Sequence, residues 1–334
     1  MSNRTVSRVL CAPLATVALF LMCAVGSPPA CAQVDNDASD RPVRLVLPYP
    51  PGGSTDAVAR LITQYLAIDW KQPVIVDNRP GASGMIGTEI AARAPADGYT
   101  ALFAITQNIQ NPLLYPKVPY DLGKDFVPVA RILTAPSGLA VSAELPVRNV
   151  QQLVALIRSQ PGHHSYGSTG VASTAHIYGA LFDKTALLDA VHSPYKGAGP
   201  MLSDLLGRRI TYTVMDVGSL MPHVAAGKLR ILAVSGTQHL PALQGVPTFA
   251  EAGMPGFEAL AWMGIALPAG TPPAIQKKWS ASLQKYLTSD AFASAMAGMA
   301  LTPGYLGPDE FSAQVRRDTG IWRNIIRTAD VRAE

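Results

Sequence analysis

The chain has 334 residues, of which 48% are hydrophobic and 15% are charged, and its formal net charge is +4. Loss of Arg4 and Arg8 with an N-terminal leader would leave a net charge of +2. A charge this small and dispersed gives no support to nucleic-acid binding or to attachment to an anionic membrane. The length predicts about two domains.

The first 32 residues have the pattern of a secretory signal peptide. Arg4 and Arg8 form a positive start, residues 9–25 are mostly apolar, and Ala30-Cys31-Ala32 ends in an A-x-A pattern. We expect cleavage near Ala32; lipidation of Cys31 is an alternative that Pro28-Pro29 disfavours. All 3 cysteines lie in this segment, so the mature chain has no disulfide and no cysteine chemistry. No later apolar run reaches membrane-spanning length.

The segment from Val43 to Asp56 predicts a strand, a glycine turn and the start of a helix. Residues 43–47 are apolar, residues 48–51 carry prolines that end a strand, and Gly52-Gly53 allows a sharp turn. The helix that follows has one apolar face at helical spacing, formed by Val58, Leu61, Ile62, Tyr65 and Leu66. Free N–H groups at such a helix start can bind an anion, although an ordinary strand–helix connection has the same local pattern.

The same strand, turn and helix pattern recurs along the chain. Further strands are predicted at 73–76, 99–105, 126–132, 139–142, 164–166, 190–193, 210–215, 229–234 and 258–267. Helices are predicted up to Arg93, after Asn149, through His176, up to Leu206, from Ser219 to Gly227, and at 272–288, 290–299 and 308–327. Residues 109–125 are expected to be irregular. Short strands alternating with helices predict an α/β fold with mainly parallel sheets covered on both faces.

Catalytic signatures are broken or absent in the sequence. Residues 81–85 miss the G-x-S-x-G elbow by one glycine, and residues 197–202 fail the dinucleotide fingerprint at its third glycine. The sequence has neither a P-loop nor H-E-x-x-H, and the adjacent His163 and His164 would chelate a metal poorly. We therefore expect no metal and no cofactor.

Two other interpretations stay open at this point. One is an exported serine hydrolase that uses Ser168 or Ser54 with His176, although His176 is better explained as a packing or supporting residue than as a base. A catalytic triad needs a third member, and the sequence offers no residue for that role in a convincing context. The other is a purely structural module of the cell envelope.

Small hydroxyl or amide residues stand beside glycine or directly after a strand in four loops. These loops are 49–56, 81–84, 106–108 and 167–174. Backbone N–H groups and hydroxyls can hold a carboxylate without arginine if the site is preorganised. Arg79 and Lys196 are expected to be solvated rim residues, and Asp56 to complement the helix dipole. Asp216 could orient a ligand hydroxyl or amine, or only cap the next helix.

Several motifs together resemble one known family. They are P-Y-P-P-G-G-S-T-D at 48–56, N-R-P-G-A-S-G at 78–84, A-D-G-Y at 96–99, Y-G-S-T-G at 166–170, P-Y-K-G at 194–197, A-G-K-L-R at 226–230 and V-P-T-x-x-E-A-G at 246–253. The sequence resembles the tripartite tricarboxylate transporter substrate-binding proteins, the Bug receptors of betaproteobacteria. The resemblance covers roughly residues 41–330 in unbroken order.

The resemblance implies a two-lobed type II periplasmic binding protein with a ligand cleft between lobes. Lobe 1 would comprise residues 41–137 and 258–334, and lobe 2 residues 138–257. The ligand would be a small carboxylate: a di- or tricarboxylate, an acidic amino acid or an aromatic acid. The expected ligand-binding residues are Tyr49, Gly52, Gly53, Ser54, Thr55, Asp56, Thr106, Asn108, Ser168, Thr169, Gly170, Ser173, Thr174 and Asp216.

The implied protein is a periplasmic monomer that makes and breaks no bond. Its partners would be membrane transporter subunits or a sensor kinase, and not nucleic acid. The sequence departs from the family pattern at Ala172, where glycine is common, and at residues 215–217, where an aromatic–Asp–Asn run is more usual. The second departure lies near the expected pocket and concerns the identity of the ligand.

Overall fold

The computed structural model describes residues 41–299 and 301–332, so the expected signal peptide, its cleavage site and Cys31 lie outside the described residues. The strands are β1 (Val43–Leu47), β2 (Val74–Asn78), β3 (Thr100–Ile105), β4 (Phe126–Ala135), β5 (Ser137–Ser142), β6 (His164–Ser168), β7 (Ala190–Pro194), β8 (Tyr212–Asp216), β9 (Leu229–Val234), β10 (Ala261–Pro268) and β11 (Thr302–Leu306). The helices are α1 (Ser54–Trp70), α2 (Met85–Ala92), α3 (Gln107–Leu114), α4 (Leu122–Asp125), α5 (Val150–Ser159), α6 (Thr174–Ala186), α7 (Ala198–Leu206), α8 (Val217–Ala225), α9 (Pro273–Leu287), α10 (Asp290–Gly298) and α11 (Pro308–Ala329). Within these ranges, no helix combines the length and the apolar composition that a membrane crossing requires.

The first sheet has six strands in the order β11-β4-β10-β3-β1-β2. β1 pairs in parallel with β2 and β3, and Val43 lies opposite Val74 in the register. The apolar face of α1 packs onto this sheet through Val58, Ile62 and Leu66, all fully buried. The sheet therefore fixes the direction in which the turn after β1 and the start of α1 are presented.

The second sheet has five strands in the order β7-β6-β8-β5-β9. β6 pairs in parallel with β7 and β8, so it occupies the position in this sheet that β1 holds in the first. α6 packs on it through Ile177, Tyr178 and Phe182, which are fully buried. Both sheets thus present a parallel strand, a small-residue loop and a helix N-terminus.

The two-sheet α/β class is confirmed, but both sheets are mixed where mainly parallel pairing was expected. β10 runs antiparallel between β3 and β4, and β5 runs antiparallel between β8 and β9. The physical reason is the chain path: β4 ends at Ala135, Pro136 follows, and β5 already pairs in the other sheet. β10 returns to the first sheet after β9. A strand that crosses between sheets need not follow the helix-linked parallel rule.

The segments 126–132, 139–142 and 258–267, each predicted as a strand, correspond to β4, β5 and β10. Strands within 43–135 and 261–306 build the first sheet, and strands within 137–234 build the second. The lobe bounds 41–137, 138–257 and 258–334 stay a prediction.

The stretch expected to be irregular contains α3 and the short α4. α3 includes Pro112 near its end, where the missing N–H removes one helical hydrogen bond only. Strand β11 was also not predicted, because it contains Pro303 and Gly304; it lies at the sheet edge, where proline is tolerated. The last helix, α11, packs against α3 and α6, with the Trp322 ring 5.2 Å from that of Tyr178.

Candidate functional site

The loop after β1, residues 48–53, ends at the N-terminus of α1 and is called the first loop below. Gly52 has φ +94°, a left-handed conformation that favours glycine, and Gly53 is the extended residue before the helix. Gly53 is the N-cap residue and has no side chain that could occupy the free N–H groups. Ser54 and Thr55 form the first helical positions. The first N–H groups of a helix have no partner within the helix, so this turn offers donors at the positive end of the dipole.

The Asp56 carboxylate braces this first loop from inside. It accepts hydrogen bonds from Gly52 N (3.2 Å), Arg60 Nε (2.8 Å) and Asn78 Nδ2 (3.1 Å). Burial on its own raises the pKa of Asp56, but the bonds from Arg60, Asn78 and Gly52 outweigh it and lower the pKa. Asp56 is therefore an ionised, 5% exposed acceptor whose partners belong to the protein.

The loop after β6, residues 169–173, ends at the N-terminus of α6 and is called the second loop below. Ser173 caps the helix, since its Oγ accepts a hydrogen bond from His176 N (3.2 Å) and donates to Gly170 O (2.7 Å). Gly170 has φ +144°, and Thr169 is partly exposed next to it. Thr174 is the first helical residue, so this loop offers a second set of helix-start donors.

Two stacked histidines lie behind the second loop. The His176 and His192 rings are 3.8 Å apart and inclined by 3°. His192 Nε2 lies 2.8 Å from Ser168 Oγ, which also donates to Gly170 O (3.0 Å). The pKa of both histidines is lowered to about 4, by burial for His176 and by burial together with the neighbouring His176 for His192. Both rings are neutral at pH 7.

Hydrogen bonds connect the loops of the two sheets. Ser54 Oγ donates to Asp216 Oδ1 (3.5 Å), and Ser83 Oγ donates to the Val171 carbonyl (3.0 Å). A further bond joins Thr174 Oγ1 to Gln110 Oε1 (3.1 Å). The first and second loops, with the 81–84 turn and α3, therefore form one connected cluster.

Thr106 and Asn108 lie at the end of β3, but their side chains bond within the protein. Thr106 Oγ1 accepts from Trp262 N (2.7 Å). Asn108 Oδ1 accepts from Ile105 N (2.7 Å), and its Nδ2 donates to Thr88 Oγ1 (2.8 Å). Both residues are 2% exposed. Their geometry is that of residues that hold the end of β3 in place.

Tyr49 follows β1 of the first sheet, and Asp216 ends β8 of the second. Tyr49 is partly buried among the apolar residues of the first sheet, and burial, with Tyr120 contributing, raises its pKa. Asp216 accepts from Ser219 N (2.8 Å), so the capping role considered for it is present. Burial raises the pKa of Asp216, although the bonds from Ser219 and Ser54 lower it in part.

Two cations, Arg79 and Lys196, lie near the loops in the sequence. Arg79 pairs with Asp77 (2.8 Å) and is exposed, and Lys196 is exposed as well. Gln107, Gln110, Ser83 and His192 were not among the expected site residues. Gln107 and Gln110 belong to α3, a helix that was not predicted because of the prolines in residues 109–125. His192 could have been found only from its contact with Ser168, which is not local in sequence.

Within residues 41–299 and 301–332, no group of three or more potential ligands could hold a metal ion. The serines considered as nucleophiles contact other partners than His176: Ser168 Oγ meets His192, and Ser54 Oγ meets Asp216. His176 Nδ1 instead accepts a hydrogen bond from Ala172 N (3.1 Å). This arrangement does not match the hydrolase alternative.

Curated relatives resemble the chain over most of its length. The "UPF0065 protein in tcbD-tcbE intergenic region" of Pseudomonas sp. strain P51 is 36% identical over 287 residues, which is 86% of this chain and 85% of that protein. BugT of Bordetella pertussis is 32% identical over 319 residues, 94% of this chain and 96% of the relative.

Solved structures resemble it in fold and in sequence. R. palustris Rpa4515 with adipate has a TM-score of 0.82 and 34% identity, and the match covers 88% of this chain and 99% of that one. The periplasmic binding protein BugD has a TM-score of 0.81 and 28% identity over 88% and 99%. MatC from Rhodopseudomonas palustris with bound malate has a TM-score of 0.77 and 27% identity over 85% and 99%.

The model described as "Tripartite tricarboxylate transporter family receptor" matches residues 58–330. That span covers most of the chain and includes both sheets. The chain therefore belongs to the tripartite tricarboxylate transporter receptor family, the family of periplasmic substrate-binding receptors indicated by the motifs in its sequence.

Proposed function

We propose that this chain is a solute receptor that captures a small organic carboxylate between its two sheets. The observation that carries the proposal is the meeting of two loops, each leading into a helix N-terminus from a different sheet. Ser54, at the start of α1, bonds to Asp216 of the second sheet, and Thr174, at the start of α6, bonds to Gln110 of α3. A ligand between these helix starts would contact both halves and so favour their closed arrangement.

The carboxylate would be held by neutral donors. The first N–H groups of α1 and α6 have no acceptor within their own helices, and they lie at the positive ends of the helix dipoles. Arg79 is already paired with Asp77, and Lys196 is exposed. Charge-assisted bonds from several preorganised amides and hydroxyls can replace an arginine in such a site.

The residues of the proposed site divide into two roles. Those in a position to touch the ligand are Tyr49, Gly52, Gly53, Ser54, Thr55, Thr169, Gly170, Thr174 and Asp216. Those that brace the loops are Asp56, Thr106, Asn108, Ser168 and Ser173, because their side-chain hydrogen bonds go to other parts of the protein. We infer that bracing residues affect affinity through the loop conformation.

Gln110 is a further candidate for ligand contact. Its side chain is fully buried, its Oε1 accepts from Thr174, and its Nε2 has no hydrogen-bond partner among the described residues. A buried unpaired amide costs about 1–3 kcal/mol, which a ligand or water acceptor would offset. We infer that Gln110 Nε2 would donate to the part of the ligand that the helix starts do not contact.

Among small organic acids, an aliphatic dicarboxylate ranks first as the ligand. Relatives at 34% and 27% identity were solved with adipate and with malate. Tricarboxylates, acidic amino acids and aromatic acids stay alternatives, because residues 215–217 differ from the family pattern. We further propose a periplasmic monomer, exported by residues 1–32, that delivers its ligand to membrane transporter subunits or to a sensor kinase.

The hydrolase alternative receives less support. Ser168 is fully buried, and its hydroxyl is occupied by Gly170 and His192. A nucleophile in an acyl transfer must reach a substrate carbonyl, so this serine would first have to leave its loop.

A panel of organic acids tested by thermal shift and then by calorimetry checks the proposal. We expect at least one acid to raise the melting temperature and to bind with a dissociation constant of about 1 μM or below, without turnover. No shift with any di- or tricarboxylate, acidic amino acid or aromatic acid would contradict it, and conversion of the acid to product would favour the hydrolase.

A further inference from the structure

Ala172 is held in a backbone conformation that alanine rarely adopts. Its φ is +62°, in the left-handed region, although it is not glycine and is fully buried. Such a residue persists only where the surrounding structure overrides its preference. Ala172 stands in the second loop, between Gly170 and the cap of α6. Something near the loop must therefore compensate for this conformation.

Both backbone groups of Ala172 are held by side chains. Its N–H donates to His176 Nδ1 (3.1 Å), and its carbonyl accepts from Gln107 Nε2 (3.4 Å). Gln107 belongs to α3 beside the first sheet. His176 belongs to α6 beside the second sheet, and Ala172 lies in the loop that leads into α6. The His176 bond would persist when the two halves separate, whereas the Gln107 bond would be lost.

The ring of His176 is itself fixed from behind. It stacks on His192, and Tyr166 also stacks on His192, with ring centroids 4.9 Å apart. His192 also contacts Ser168, which holds both the N–H (3.3 Å) and the carbonyl (3.0 Å) of Gly170. The histidine pair therefore supports the second loop at two points, through Gly170 and through Ala172.

The bond from Ala172 N fixes the protonation state of His176. An imidazole nitrogen accepts a hydrogen bond only when it carries no proton, so the single proton must be on Nε2. Burial, which lowers the pKa of His176 to about 4, agrees with a neutral ring at pH 7. His176 Nδ1 thus acts as a hydrogen-bond acceptor.

We propose that His176 is a positioning residue that holds Ala172 in its left-handed conformation and thereby presets the second loop for carboxylate binding. The inference rests on the proposed function for its effect on affinity. The hydrogen bond and the tautomer are features of the protein alone. They can be measured without any ligand.

Three substitutions separate the acceptor from the ring. His176→Asn places an amide oxygen near the position of Nδ1 without the ring, and His176→Phe keeps a ring on His192 without an acceptor. Ala172→Gly removes the backbone penalty of positive φ. The probe is the acid from the panel that binds tightest, with adipate and malate tested first.

We expect His176→Phe to weaken binding by about tenfold and His176→Asn by about threefold or less, since one hydrogen bond is at stake. In the Ala172→Gly background, His176→Phe should weaken binding by about threefold or less relative to Ala172→Gly alone. An equal loss from His176→Phe with and without Ala172→Gly, or a loss from His176→Asn as large as that from His176→Phe, would overturn the proposal.

Nitrogen-15 spectra of the His176 ring in the free protein provide the second measurement. The expected result at pH 7 is a neutral ring with the proton on Nε2. A proton on Nδ1 would overturn the proposal whether or not a variant folds. If no acid binds, the proposed function fails, and the spectra still decide the role of His176.

Discussion

Ser54 Oγ lies 3.5 Å from Oδ1 of Asp216, although 162 positions separate the two residues in the chain. Ser54 begins α1 beside the first sheet, and Asp216 ends β8 in the second and caps α8. The contact brings one helix N-terminus to the carboxyl end of a strand in the other sheet. In α/β proteins, ligands bind at such strand ends. We therefore expect the ligand to lie between the two sheets, close to Ser54 and Asp216.

Ser54→Pro tests whether the backbone N–H at the start of α1 binds the anion. Proline is tolerated at the first helical position, and Gly53 before it is extended (ψ 176°), so the fold should be retained. We expect the affinity for the panel acid to fall by about tenfold or more, because one charge-assisted bond is lost. Ser54→Ala keeps the N–H and should lose far less. Equal losses in the two variants, measured by calorimetry, would assign the binding to the hydroxyl instead.

Gly53→Val tests the space in front of the same turn. A Cβ at Gly53 would meet no atom nearer than Thr55 Oγ1 at 3.8 Å, and the residue has an ordinary φ of −92°. The melting temperature should therefore stay close to that of the wild-type chain, while the side chain blocks the approach to the helix start and abolishes binding. Unchanged affinity with unchanged stability would remove the first loop from the site.

Asp216→Asn is expected to stabilise the protein near neutral pH. Burial raises the folded-state pKa of Asp216 above its unfolded value, so its favourable contribution exists at low pH and is lost as pH rises through the folded pKa. Asparagine keeps a cap acceptor for Ser219 N and carries no charge. Chemical unfolding at pH 7 and at pH 3 should show the gain only at the higher pH.

The same variant reports on the ligand. If Asp216 lies at the ligand as proposed, removing its negative charge should strengthen the binding of a plain dicarboxylate such as adipate by a few-fold. A clear loss of affinity would mean that Asp216 accepts a hydrogen bond from a ligand amine or hydroxyl. An acidic amino acid or a hydroxy acid would then be the better candidate.

Asp56→Asn should destabilise the protein, and the effect should depend on pH. The folded pKa of Asp56 is lowered, so its contribution is present above the unfolded pKa of about 3.9 and disappears as pH falls through the folded value. We expect a loss of about 2 kcal/mol in unfolding free energy at pH 7, because bonds from Arg60 and Asn78 are broken. Denaturation curves that show the same difference at pH 7 and at pH 2 would contradict this account.

Lys196→Ala should leave affinity almost unchanged. Lys196 is exposed, and the carboxylate is assigned to amides and hydroxyls. A loss of about 2–5 kcal/mol in binding free energy, the scale of a desolvated charge pair, would show that the anion lies beside Lys196.

The sequence predicts the parts of the fold that depend on local signals. The strand and glycine turn before Ser54 and the cap of α5 by Asn149, whose Oδ1 accepts from Gln152 N (2.9 Å), need only neighbouring residues. The antiparallel placement of β10 between β3 and β4 depends on contacts distant in sequence. The periodicity of one segment cannot encode it.

The sequence predicts the loops of the candidate site, but not the directions of their side chains. Asp56 and Asn108 stand in the expected loops, but their side chains turn inward to Arg60 and Thr88. Gln107 and Gln110 were missed because Pro112 led to the prediction of irregular structure where α3 lies. The direction of a side chain follows from tertiary packing, so only the assembled structure distinguishes a bracing carboxylate from an exposed one.

A crystal structure with the tightest-binding acid tests the central claim most directly. We predict a carboxylate oxygen within hydrogen-bond distance of backbone N–H groups at Ser54 or Thr55 and at Thr174 or Ala175, with the acid enclosed between the two sheets. An acid bound elsewhere, or a carboxylate held by Arg79 or Lys196 in place of these amides, would contradict the account.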